Sequence, residues 1–472
     1  MIFSQIEYFW FFGVVFTLYW AVPRRARLWV LVPASLLFYG TWNFKYLLLL
    51  LATTGLDYFS AIQIDRNTSA RARKVWLVGS LSANLGILAI FKYYGFFAHS
   101  LVALGEAIGL NVHLTTLELL LPVGVSFYTF QSMSYTIDVY RGVEKPVHNP
   151  LHYVAFVSFF PQLVAGPIVR ARHLVHQLEA PADFEIGRFK SGAKLFAWGL
   201  WKKNIFADLV AVRCVDIVFA APADFDTPSL WIAAFAYSLQ IYADFSGYSD
   251  MARGSARMLG YELPLNFDTP YRSTSITEFW RRWHMSLSSW LRDYLYISLG
   301  GNRKGRGRTW VNLFLTMLLG GLWHGANWTF VVWGGLHGAA LAVHKIFLDR
   351  FAPRPAIARL RAGLGWRVFA GLSTFLFVCL CFVLFRTTTF GQAIDFFGGL
   401  FSPQAGRRLV DLGAVVPLVV FATATLLDAR FRFATLYPRV PWPLRAVGYA
   451  AAALVLLLLT PTTQVPFVYF QF

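Results

Sequence analysis

The sequence predicts an all-α, polytopic membrane protein, and three observations carry that prediction. Of its 472 residues 57% are hydrophobic and only 14% charged, where a soluble domain carries about 25% charged residues. A soluble chain of this composition would expose large adhesive patches. Apolar runs recur almost end to end, and about 20 such residues cross a bilayer. The basic excess, a net charge of +18, falls in short clusters between those runs, such as Arg24-Arg25-Ala26-Arg27 and Arg303-Lys304-Gly305-Arg306-Gly307-Arg308. Cytoplasmic loops of a multi-pass protein read this way, whereas a nucleic-acid surface concentrates its charge on one face. The expected surroundings are therefore a lipid bilayer, with no nucleic-acid partner. Length alone would allow two or three domains, but the apolar runs leave no soluble stretch, so 1–472 reads as one integral membrane domain.

Taken in order, the candidate spans are 6–22, 28–41, 44–63, 75–97, 117–139, 151–168, 192–220, 229–250, 309–330, 331–347, 367–386, 411–428 and 444–460, or about eleven to thirteen membrane helices. The first lacks the basic segment that precedes a cleavable signal and is followed by arginines, so it is expected to be retained. Loop 23–27 is basic, loop 41–45 nearly neutral, and loop 65–74 carries Arg66, Arg71, Arg73 and Lys74. This alternation places the amino terminus outside and the first and third loops inside. Beyond residue 140 the alternation blurs. Residues 252–308 are too polar to span, yet hold Trp280, Trp283 and Trp290, a mixture suited to amphipathic helices at the headgroup level. The Pro- and Gly-containing piece Phe160-Pro161-Gln162-Leu163-Val164-Ala165-Gly166-Pro167 reads as re-entrant, with its irregular backbone satisfied by protein. No internal repeat of the kind common in transporters is visible.

Chemistry is expected first at His324, within Leu318-Leu319-Gly320-Gly321-Leu322-Trp323-His324-Gly325-Ala326-Asn327-Trp328. An ionisable group near the middle of a span is costly unless neutral, paired or facing water, so function is the default reading. On a continuous helix Asn327 and Trp328 share its face at i+3 and i+4. Gly321 and Gly325, then Gly334 and Gly338, give small-xxx-small spacings that bring backbones together; a histidine merely hydrogen-bonded between packed helices is the plainer alternative. His284 lies in Glu278-Phe279-Trp280-Arg281-Arg282-Trp283-His284-Met285-Ser286. Arg281 and Arg282 suit the phosphates of an anionic donor, or equally an interfacial belt binding lipid headgroups. Gln240, Asp244 and Tyr248 recur at i+4 and fit either a polar cavity wall or an ion pair of the aspartate with a loop arginine such as Arg253 or Arg257.

Other signals are weaker. His99, His113, His148, His152, His173 and His176 lie in or near loops. His337 is thirteen residues beyond His324, which on one straight helix separates the two by roughly 20 Å. His337 and His344 could share a face, but no carboxylate or cysteine completes a set, and no metal site is expected. Cys214, Cys379 and Cys381 offer neither zinc spacing nor a disulfide framework. A Walker loop and a Gly-x-Ser-x-Gly elbow are both missing from the sequence. What remains is a neutral, buried histidine suited to general-base work.

Several longer motifs share a family likeness. Glu278 to His284, Leu291-Arg292-Asp293-Tyr294-Leu295-Tyr296-Ile297 and Gly320 to Gly325 closely resemble the membrane-bound O-acyltransferase superfamily, as do Leu121 to Gln131, Phe159 to Pro167 and Asp244 to Met251. The core motifs fall within about 121–345, and the likeness runs from the first span to about Phe401. Within the superfamily the chain is similar to the bacterial branch that acetylates exopolysaccharides such as alginate, which also includes the teichoic-acid D-alanylation protein. The resemblance implies membrane helices, re-entrant and interfacial helices around a central catalytic funnel, with His324 as the catalytic histidine and His284 as the second. Asn327, Trp328, Asp244, Tyr248, Arg281 and Arg282 are the candidate substrate contacts. It further implies an acyl donor on the cytoplasmic side, acetyl-CoA, used as a substrate with no bound cofactor. It implies a polysaccharide acceptor, periplasmic acetyltransferase partner proteins and a multi-pass location in the bacterial inner membrane. Asp268 stands where the family pattern leads one to expect asparagine, which bears on a local contact. Two other classes fit the buried polar residues: a transporter or flippase for an acyl carrier or lipid-linked sugar, and a scaffold for a secretion complex.

Overall fold

A computed structural model describes every residue except 113, 115–120, 410, 432–439, 463–464 and 471–472. His113 and the first residues of the expected run 117–139 thus lie outside the described residues. The described chain is helical throughout, with one isolated bridge between Phe225 and Arg407 in place of any strand.

Helices Ile6–Ala21, Arg27–Gly40 and Phe44–Arg66 fill the first three runs. The fourth is longer than expected: Ala70–Leu88 continues through a π-helical stretch, Ala89–Tyr93, into Tyr94–Ala107. Five helices among the described residues are long and apolar enough to cross a membrane: Phe44–Arg66, Ala70–Ala107, Trp328–Arg350, Leu364–Arg386 and Trp442–Leu459. Most of the remaining expected spans are helical over their described residues but shorter, broken or more polar. Thr227–Met258 is 32 residues long yet buries Gln240, Asp244 and Asp250. The run 192–220 is interrupted by π-helical stretches Lys202–Asp208 and Ala211–Val215 that bury two lysines. Such helices lie inside the bundle, where other protein groups rather than lipid meet their polar faces.

The piece expected to be re-entrant is broken at Phe159, between helices Pro150–Ser158 and Phe160–Leu163, and is almost wholly buried. Its free backbone groups are met by side chains. Gln131 and Gln162 donate to the Phe156 carbonyl at 2.8 and 2.6 Å, and the hydroxyls of Ser35 and Ser286 accept from the amides of Phe160 and Ile168. Non-helical backbone at membrane depth requires such internal partners.

Residues 252–308 differ from expectation. Their short helices Ile276–Arg282 and Met285–Trp290 do not lie at the surface with aromatic rings in the headgroups. Trp280, Trp283 and Trp290 are buried; Trp290 stacks on Phe130 at 3.7 Å and donates to its carbonyl. Polar residues of this region join the basic loops, as where Arg141 donates to the Asp293 carbonyl and to Ser298, and the rings fill the core.

Contacts between loops sort the two ends. Arg24 pairs with Asp183, Arg27 donates to the Ala182 carbonyl, Arg73 to that of Tyr140, and Arg141 to Ser298. These basic loops form the end expected to be cytoplasmic. At the other end Trp328 meets Ser100, Asn327 meets Thr388, and Gln404 meets Pro222.

Candidate functional site

The site is built on a helical hairpin. Helix Gly305–His324 rises from the basic end and stops at His324; Gly325 and Ala326 turn the chain, and Trp328–Arg350 returns. Asn327 ends the turn as an N-cap, its side-chain oxygen accepting from the Thr329 amide at 3.0 Å, the role asparagine fills well. The two helices touch at glycine: a Cβ on Gly321 would lie 2.3 Å from the Phe330 carbonyl oxygen, and one on Gly334 would lie 2.5 Å from that of Met317. His324 is therefore a helix terminus at a chain reversal, not the midpoint of a continuous span. The terminal carbonyls of Trp323 and His324 accept from Lys92 Nζ at 2.7 and 3.0 Å. Lys92 comes from the π-helical stretch Ala89–Tyr93, where the altered winding re-aims side chains.

His324 is buried, with ring centroids of Trp323, Trp333, Phe385 and Tyr469 between 5.1 and 5.5 Å away. It lines a cavity of about 280 Å³ together with Trp42, Lys92, Ser126, Phe127 and Tyr469. Trp42, half exposed in the loop before Phe44, marks the rim at the end opposite the basic loops.

His284 occupies a left-handed backbone conformation, φ 42°, and is fully buried. Such a φ is uncommon for a residue with a side chain and persists only where the surroundings impose it. They do so through Asn266. Its side-chain oxygen accepts from the Ser286 amide at 3.2 Å and faces His284 Nδ1 at 3.1 Å. Since an amide N–H donates to that atom, it is the oxygen, and Nδ1 is the donor; in the neutral ring Nε2 is then left as the acceptor. Phe245 packs edge-on to the ring at 4.6 Å. Asn266→Ala strands three donors, the two on Ser286 and His284 Nδ1, at about 1–3 kcal/mol for each buried group left unpaired. A thermal-melt comparison is expected to show the destabilisation, and activity is expected to fall on the order of 100-fold through misplacement of His284.

His284 Nε2, Trp323 Nε1, His324 Nδ1, Trp333 Nε1 and His337 Nε2 are all buried without a hydrogen-bond partner among the described residues. Their rings form a contiguous series: His284 to Trp323 at 6.4 Å, Trp323 to His324 at 5.1 Å, His324 to Trp333 at 5.1 Å, and Trp333 to His337 at 4.6 Å. A cluster of unsatisfied buried polar atoms asks for water or a ligand. The chain reversal brings His337 to the same tryptophan as His324, where a straight helix would have kept them roughly 20 Å apart. Among the described residues no three His, Cys, Asp or Glu side chains converge as metal ligands.

Several expected contacts fall elsewhere. Asn327 and Trp328 do not share the face of His324, because the helix ends before them: Asn327 caps the next helix and donates to the Thr388 carbonyl, while Trp328 packs on Phe96 and donates to Ser100. Asp244 does not line the cavity at His324. It pairs with Lys203 at 2.8 Å, a partner from a neighbouring helix rather than Arg253 or Arg257. Tyr248 is buried against Phe3 and Phe467. Arg282 is held by Glu278 at 3.0 Å and Asp268 at 3.6 Å, so Asp268 serves as its local partner. Arg281 alone of that pair faces a groove, of about 610 Å³, shared with Arg292, Lys345 and Trp280. Residues that sequence reasoning passed over are Lys92, Ser126, Asn266 and Tyr469. A lone lysine within Ala89-Ile90-Phe91-Lys92-Tyr93 is as informative as a lone histidine; nothing near Tyr469 distinguishes it in the sequence.

Comparison with known proteins decides among the classes. The family model for MBOAT, the membrane-bound O-acyltransferase family, matches residues 143–387. The chain belongs to the membrane-bound O-acyltransferase family. The acyltransferase is 42% identical to "Probable alginate O-acetylase AlgI" of Pseudomonas aeruginosa over 84% of its own length and 74% of that relative. It is 38% identical to the Pseudomonas putida protein of the same name over 99% of both chains. With "Peptidoglycan O-acetyltransferase" of Helicobacter pylori it shares 37% identity over 80% of this chain and 74% of the relative. It is therefore a multi-pass membrane enzyme that transfers acyl groups, and the transporter and scaffold classes give way to that finding.

Proposed function

We propose that this acyltransferase takes an acetyl group from acetyl-CoA on the cytoplasmic side of the bacterial inner membrane and delivers it outward for O-acetylation of an exopolysaccharide such as alginate. The observation that carries this reading is the position of His324: at the floor of a cavity on one side, and linked through Trp333, His337 and Trp280 to the basic groove on the other. The relatives' names add the acetyl group and the polymer. Periplasmic partner proteins are proposed to complete transfer to the polysaccharide.

In this mechanism Arg281, Arg292 and Lys345 attract the donor's phosphates at the groove. The thioester reaches the aromatic series, whose bare N–H groups and ring nitrogens meet its polar atoms. An acceptor hydroxyl enters from the cavity. His324 takes its proton as the oxygen attacks the thioester carbonyl; the C–S bond breaks, and the proton passes to the departing thiolate. His284, fixed by Asn266, orients the reacting groups from the opposite side of Trp323. Lys92 holds the helix terminus that carries His324.

The test is purified protein given acetyl-CoA labelled in the acetyl group, with partner protein and polymer. The reading expects labelled polymer ester and free thiol together. Donor that crosses intact, with no thiol released, would overturn it. Replacing Arg281 and Arg292 together by alanine is expected to raise KM for the donor roughly tenfold at nearly constant kcat, the mark of lost ground-state binding.

A further inference from the structure

The chain's last described residues turn back into the protein. After helix Trp442–Leu459, residues 465–469 turn into the bundle; Phe467 and Val468 are buried, and Phe467 lies between Phe245 at 5.7 Å and Tyr248 at 4.8 Å. This strap delivers Tyr469 to the reaction cavity, 5.5 Å from the His324 ring and 6.4 Å from that of His284. One wall of the cavity therefore comes from a segment whose only helical element is the single 3-10 turn Val468–Phe470.

What holds it is charge. Lys203, with 2% of its side chain exposed, lies 2.7 Å from Asp208 and 2.8 Å from Asp244, the latter 1% exposed. One ammonium between two carboxylates leaves an excess negative charge in the core, which calls for further donors. The strap supplies one: the Val468 amide donates to Asp244 Oδ2 at 2.7 Å. Lys203 Nζ in turn donates to the Val465 carbonyl at 3.3 Å, and the adjacent Asn204 donates to Thr460. Charge-assisted bonds to backbone are strong and directional. Buried ion clusters are poor stabilisers compared with apolar packing of the same volume, so the distinctive product of this cluster is the fixed position of the strap.

We propose that Lys203, Asp244 and Asp208 form a clamp that docks the C-terminal strap and so sets Tyr469 against His324. These are positioning residues for acyl transfer. The inference rests on the reading of His324 as the reacting base, but strap docking itself is measurable without activity.

Two readouts test it in the full-length protein. The first is kinetic: D244N is expected to lower kcat at least about tenfold, the cost of a displaced active-site wall, with KM for the donor little changed, and deleting residues 463–472 is expected to do the same. Combined, the two changes are expected to cost no more than the deletion alone, because both act through the strap. The second reads docking: a cysteine at the buried position of Val468 is expected to resist a thiol-reactive maleimide in the parent chain and in His324→Ala, but to react readily in D244N. Lys203→Arg, which keeps the charge, is expected to retain more protection than Lys203→Met. Losses that multiply between D244N and the deletion, or a Val468 cysteine equally protected in D244N, would overturn the clamp. If D244N does not accumulate in membranes, the deletion carries the test, since it leaves the three charges paired with one another. Native abundance with strongly reduced kcat supports the proposal, and undiminished kcat overturns it. Protection retained in His324→Ala alongside undiminished transfer would remove the base assignment and leave the clamp standing.

Discussion

Replacing His324 by alanine or asparagine is expected to abolish polymer acetylation while leaving the protein's abundance in the membrane unchanged. A positioned general base contributes on the order of 10²–10⁴ in rate, and no second imidazole is placed to substitute. His284 lies across Trp323, 6.4 Å from its ring, with Nδ1 held by Asn266, and His337 lies beyond Trp333. Truncation is also mild for the fold. The side chain is surrounded by rings rather than by hydrogen-bond partners, its Nδ1 has none among the described residues, and Lys92 grips the backbone carbonyls, which alanine retains. Quantitative immunoblotting beside an acetyl-ester assay separates the two effects; wild-type acetylation in the variant would exclude His324 as the base.

The second large effect is structural. Gly334→Val is expected to cost the enzyme its folded state, or most of its thermal stability, because the hairpin has no room for a side chain there. The added Cβ alone would meet the Met317 carbonyl 2.5 Å away and Gly321 Cα 3.0 Å away, and backbone on both sides cannot swing aside as a flexible side chain would. Overpacking costs about 1–3 kcal/mol and occasionally more; two opposed backbones place this substitution at the upper end. The neighbouring Gly335 is the control. A Cβ there would lie 3.7 Å from Leu318, an ordinary contact, so Gly335→Ala is expected to melt with the parent protein. Equal stability of Gly334→Val and Gly335→Ala in a detergent thermal-shift assay would contradict the close hairpin.

How far the sequence could be read depends on the range of the interactions. The all-α membrane architecture was legible because it rests on composition and run length, which are local. His324 stands out because a polar group among apolar residues is visible without knowing its neighbours, and His284 through the cationic and aromatic family motif that ends on it. The chain reversal after His324 is written in Gly325-Ala326-Asn327, a glycine followed by a good N-cap before an apolar run, but the apolar residues beyond it carry the expected span on to 330 and place the reversal too late. That single misreading displaced Asn327 and Trp328 from their capping and packing roles. Asp244 reads as a cavity wall or as the partner of a loop arginine, whereas Lys203, with which it pairs, lies 41 residues away on a helix that reads as an ordinary span; pairing across helices leaves no periodic trace. Arg281 and Arg282 look equivalent in sequence and are separated only by where Glu278 and Asp268 sit. Tyr469 enters the site from the far end of the chain, and only the folded arrangement reveals it.

In the proposed mechanism acyl transfer occurs at His324, between a donor groove on one face and an acceptor cavity on the other. Oriented vesicles containing the enzyme, with acetyl-labelled acetyl-CoA on the basic face and hydroxyl acceptor with partner protein on the opposite face, test it most directly. Free CoA is expected to stay on the donor side and labelled ester to appear mole for mole on the acceptor side, with neither formed by His324→Ala. Intact acetyl-CoA reaching the acceptor side, or labelled ester formed at the parent rate by His324→Ala, would contradict it.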